Sequence, residues 1–129
     1  MVVKLAVDSP ETRTLDRKQP LADAFFTAHP SNLTVPADIQ QINRNISIAN
    51  GDQDFVLNMK QVEQVKATLA TMENVDSEFV LYPGAGHGFA VRGDKKSNVK
   101  VAEQAEDAEK QAIGMCSLLG MNRVPLTQP

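Results

Sequence analysis

Apolar positions along this chain recur at two periods, and the periods mark its elements. In Asn58 to Met72, the residues Met59, Val62, Val65, Leu69 and Met72 fall at helical spacing with Lys and Gln between them, which predicts an amphipathic helix. A second helical stripe, Ala102, Ala105, Ala112, Ile113, Cys116 and Leu119, lies opposite Glu103, Glu106, Asp107 and Lys110. Ser97 is its predicted cap and Gly120 its stop. Three short runs read instead as strands: Ala22 to Ala28, buried and closed by His29-Pro30; Asn45 to Ala49, stopped by Asn50-Gly51; and Phe79 to Tyr82, stopped by Pro83. Met1 to Val7 is apolar but too short for its period to choose between strand and helix. Ser9 to Pro20 is polar and bounded by prolines, which predicts a mobile surface connector. Ser31 to Asn43 reads as loop, and Arg123 to Pro129 as a loose tail. Short strands alternating with longer helices predict an α/β fold, with about three parallel strands and flanking helices.

Composition narrows the class. The 129 residues have room for one domain, and 42% apolar with 22% charged residues suits a packed core. At a net charge of −3, and with no Lys/Arg cluster among aromatics, nucleic acid and anionic membranes are disfavoured as partners. No apolar run approaches the roughly 20 residues of a membrane span. The single cysteine excludes an internal disulfide and fits a reducing compartment. The opening residues lack the pattern of a secretory signal, so a cytoplasmic location is expected. On that ground the sequons at Asn32 and Asn45 and the tripeptide Arg92-Gly93-Asp94 are coincidences.

The candidate chemistry sits after the third strand, where Gly84, Gly86 and Gly88 surround His87. Glycines let the backbone take positive φ and let other groups approach an imidazole at the end of a sheet. The plain alternative is a solvated loop histidine. A catalytic imidazole needs an acid partner, and the loop after the preceding strand offers Asp52 and Asp54, either of which also suits a simple turn. Asp54 precedes His87 by 33 residues, room for one helix and one strand. The guanidinium of Arg92 suits bidentate grip of a carboxylate, or else Arg92 is a surface arginine paired with Asp94. A metal site from His29, His87 and Asp52 or Asp54 shows none of the usual ligand spacings. No Gly-x-Ser-x-Gly or Gly-x-Cys-x-Gly occurs, and Cys116 on a helical stripe reads as a small core residue.

The stretch Gly84-Ala-Gly-His-Gly-Phe-Ala-Val-Arg-Gly-Asp94 resembles the histidine loop of the dienelactone hydrolase family, within the α/β-hydrolase fold. The resemblance implies an ester or lactone hydrolase with a Cys(Ser)-His-Asp triad, acting on a small molecule without metal or cofactor. It assigns the catalytic histidine to His87 and the acid to Asp54. It suggests a substrate carboxylate for Arg92, although Val91 lengthens the family's spacing by one residue. His29-Pro30-Ser31 recurs in the family, and His29 is read as structural, near the site. Val2 to Val7 resembles the helix that follows the nucleophile elbow, so residues 1–122 are expected to be the C-terminal half of the domain, with 123–129 as tail. A half-domain of this kind exposes a sheet edge, so self-association is expected. A non-catalytic interaction or regulatory module is the alternative reading.

Overall fold

The structure is a computed structural model and describes residues 2–115. Its centre is the strand β2, Asn45–Gly51, buried at every position. Alternation along β2 divides the core in two. Ile46 and Ile48 join a cluster with Val3, Ile39, Leu57, Val62, Val65 and Leu69, while Ala49 joins Tyr82, Ala85, Phe89 and Ala108. β1, Ala24–Ala28, and β3, Ser77–Tyr82, flank β2 in the order β1-β2-β3, and both pairings are parallel. The register sets Ala28 against Ala49 and Gly51 against Tyr82, so the three carboxyl ends, and the loops that leave them, emerge together.

The helices are α1, Val2–Leu5; α2, Ala37–Gln40; α3, Met59–Ala70; α4, Phe89–Arg92; and α5, Val99–Met115. α3 follows its pattern. Asn58 accepts from the Gln61 amide at 3.0 Å, Gln61 accepts in return from the Asn58 amide at 3.1 Å, and Val62, Val65 and Leu69 face the core.

Elsewhere the fold departs from the pattern. β1 is shorter than expected and only half-buried, because it pairs with β2 on one side alone among the described residues. β2 runs on through Asn50-Gly51: Asn50 Nδ2 donates to the carbonyls of Gly51 and Leu57, both at 3.1 Å, and Gly51 pairs with Tyr82. The expected mobile connector is tied back on itself. Thr12 is buried and donates its hydroxyl to the Val7 carbonyl at 2.7 Å, Thr14 N–H reaches Gln19 O at 2.8 Å, and Arg13 clasps both oxygens of Asp8. The loop 31–43 contains α2, whose Ile39 is fully buried.

α5 begins at Val99, with Asn98 rather than Ser97 accepting from the Val101 amide at 3.2 Å. Its inward face includes polar residues. Gln104 donates to Pro83 O at 2.7 Å, and Gln111 joins Tyr82 Oη, Ser47 Oγ and Ile48 O. Ile113, assigned to the apolar stripe, is instead 61% exposed. Cys116, Leu119, Gly120 and the tail 123–129 lie outside the described residues.

Candidate active site

Two loops leave neighbouring strands and are laced to one another. After β2, the amide of Asp52 donates to Tyr82 O at 3.2 Å, and the amide of Gln53 to Ala85 O at 3.0 Å. In return Asp52 Oδ1 accepts from the Gly84 amide at 2.7 Å. The loops touch so closely that a Cβ on Gly51 would lie 1.9 Å from Ala85 O. Gly84 and Gly88 take φ of +74° and +84°, the left-handed turns that lift His87 between them. Phe89, on α4, anchors the far side against Tyr82, with ring centroids 4.9 Å apart.

This lacing brings Asp54 and His87 together. Asp54 Oδ2 lies 2.9 Å from His87 Nδ1, while Oδ1 accepts from the amides of Val56 at 2.7 Å and Leu57 at 3.2 Å. The Asp54 side chain is completely buried, and that of His87 is 17% exposed. With both Asp54 oxygens accepting, the network assigns a proton to Nδ1 and leaves Nε2 as the basic nitrogen of the neutral ring. Asp52, the other candidate acid, is the clasp between the loops.

His87 lines a cavity of about 270 Å³ that also takes in Arg92 from α4, Val2 and Val3 from α1, and Thr27 to Ser31 at the end of β1. His29 stands in its wall. Its φ is +42°, its amide donates to Ala49 O at 2.6 Å, and its ring lies 5.1 Å from His87 and 6.0 Å from Phe89, edge-on to both. Its Nε2 is buried without a hydrogen-bond partner. Burial pushes the His29 pKa down, with the neighbouring His87 adding to the shift and Arg92 contributing less.

A family model described as Dienelactone hydrolase family matches residues 12–117. The chain belongs to the dienelactone hydrolase family. No curated protein matches it. The matched span holds all three strands, both laced loops and the Asp54–His87 contact, so this dienelactone hydrolase-family chain is hydrolase-like in its architecture.

Arg92 shares the cavity with His87, and its guanidinium passes close to Gly88. The alternative expected for it, pairing with Asp94, is not formed: Asp94 accepts from the amide of Ser97 at 3.2 Å and from its hydroxyl. Sequence reasoning read His29 as structural and near the site, and the structure sets its ring beside that of His87. Among the described residues, no three His, Cys, Asp or Glu side chains gather to hold a metal, and no helix is long and apolar enough to cross a membrane. A larger, apolar groove of about 520 Å³ lies apart from His87, between β1, α4 and α5.

Proposed function

We propose that this chain supplies the acid and the base of a carboxylic-ester or lactone hydrolase. Asp54 holds His87 with a proton on Nδ1, and Nε2 takes the proton of a cysteine or serine nucleophile. The nucleophile attacks the substrate carbonyl, and the protonated His87 returns its proton to the leaving oxygen. No Gly-x-Cys-x-Gly or Gly-x-Ser-x-Gly to present that nucleophile occurs among these 129 residues. In this reading it is presented on the α1 side of the cavity, where Val2 and Val3 form the wall, and residues 1–122 are part of a larger domain. Arg92 grips a carboxylate of a small substrate, and the reaction runs in the cytoplasm with neither metal nor cofactor.

The observation that carries this reading is the 2.9 Å contact between a fully buried carboxylate, itself held by two backbone amides, and an imidazole that lines a cavity. The test is to sequence the source transcript upstream of the Met1 codon. In-frame codons for Gly-x-Cys-x-Gly or Gly-x-Ser-x-Gly are expected, and in the protein made from that frame His87→Ala removes p-nitrophenyl acetate hydrolysis. An in-frame stop codon there, or an unchanged rate in the variant, sinks the reading.

The half-free edge of β1 and the groove beside it favour a second reading, a non-catalytic interaction module. A stable stoichiometric complex with a specific partner, together with that stop codon, would select it.

A further inference from the structure

The chain has two histidines, and the fold brings both into one cavity with their rings 5.1 Å apart. One of them, His29, is held at some expense to the fold. A residue other than glycine at φ +42° is strained, and a buried ring nitrogen without a partner forfeits its hydrogen bond with water. Both penalties fall on the residue that faces the candidate base, and a phenylalanine would fill the same space with no nitrogen to bury.

We propose that His29 and His87 work as one unit that carries a single proton, with His87 the member that takes it and His29 a positioning residue that stays neutral beside it. The proposal rests on the acid–base reading of Asp54 and His87. In the proton transfer, the N–H bond forms on His87 Nε2 as the nucleophile's O–H or S–H bond breaks. The same proton later leaves for the oxygen of the departing alcohol. A charged His29 would oppose that transfer at close range. A neutral His29 does not, and its free Nε2 is a dipole that can turn toward the imidazolium. Among the described residues the charged groups acting on His29 are Asp54, from the loop after β2, and Arg92, from α4; β1 and α1 bring none to the cavity. Burial first and then His87 favour the neutral form of His29, with Arg92 adding least; a backbone hydrogen bond and the charge of Asp54 oppose them.

Histidine C2 hydrogen–deuterium exchange on the 129-residue chain tests this, because proteolysis puts the two rings in separate peptides and the readout tolerates self-association. In the native chain the His29 midpoint is expected to lie below that of the same peptide in urea. It is expected to rise in His87→Gln, rise less in Arg92→Gln, and fall in Asp54→Asn. A His29 that titrates independently of the cavity would keep its midpoint in all three variants. A native midpoint equal to the unfolded one, or one that stays put in His87→Gln, overturns the proposal. If His87→Gln fails to fold by circular dichroism, the native and Arg92→Gln titrations still decide it. Failure of the acid–base reading is seen separately, as an unchanged His87 ring tautomer in Asp54→Asn.

Discussion

Replacing Asp54 by alanine and by asparagine separates the two jobs done by its two oxygens. Oδ1 accepts from the amides of Val56 and Leu57, and Oδ2 faces His87 Nδ1. The side chain is wholly buried, so its removal leaves these donors little water to replace it. A buried donor left without a partner costs about 1–3 kcal/mol. Leu57 is 2% exposed and takes the full penalty, while Val56 and His87 are half-buried and recover part of theirs from solvent. Asp54→Ala is therefore expected to lower stability by roughly 3–4 kcal/mol. Asparagine keeps an oxygen for the two amides, and the loss falls to about 1 kcal/mol. It also turns an amide N–H toward Nδ1, which moves the ring proton to Nε2, the nitrogen that has to act as base. With a nucleophile in place, a wrong tautomer of this kind lowers kcat about 10⁴-fold. Urea unfolding at micromolar concentration gives the two stability differences, and ¹⁵N shifts of the imidazole give the tautomer. Equal destabilisation by the two substitutions, or an unmoved tautomer in the asparagine variant, would refute the reasoning.

Other consequences are open to direct measurement. Because burial lowers the His29 pKa in the folded chain, the unfolded chain binds more protons as pH falls below the ordinary histidine value of 6.5, so stability present above that pH declines as pH drops through the lower folded value. Urea midpoints from pH 7.5 to 5 should show this loss, and His29→Phe should flatten it. Gly51→Ala drives a Cβ into backbone atoms that cannot swing aside, with Ala85 O at 1.9 Å and Ala85 C at 2.5 Å. A loss of about 2–3 kcal/mol is expected in thermal melts, and a wild-type Tm would show that the laced loops yield freely. The open edge of β1 should make the chain self-associate as concentration rises, with Phe26→Lys weakening the association. Sedimentation velocity showing one cooperatively unfolding monomer at every concentration would count against it.

What was legible in the sequence follows from how far local chemistry reaches. The alternation at Ile46 and Ile48 and the stripe on α3 declare a buried strand and an amphipathic helix, and the three parallel strands follow from their order. The Asp54–His87 contact was readable as proximity, because each residue closes a strand with turn residues and parallel strands end side by side. α4 was not legible, since four residues cannot establish a period. Gln104 and Gln111 fell outside the predicted apolar stripe, yet they turn inward to satisfy carbonyls and hydroxyls at the sheet that no apolar side chain could satisfy. The clasp that ties down the Ser9–Pro20 connector rests on the burial of Thr12, a residue whose polarity suggests the surface.

The parallel arrangement of β1, β2 and β3 also governs the order in which the chain can fold. Among the described residues no hairpin joins the three strands, and each of their pairings must first close a long loop. The Asp54–His87 bond spans 33 positions, and the Gln111–Ser47 bond spans 64. The entropy of closing such loops is met before any contact rewards it, which makes the sheet slow to assemble and leaves apolar strands uncovered in the meantime. The imidazole meets its acid only once β3 has docked on β2. That contact is expected to form late in folding and to be lost if β3 frays from the sheet.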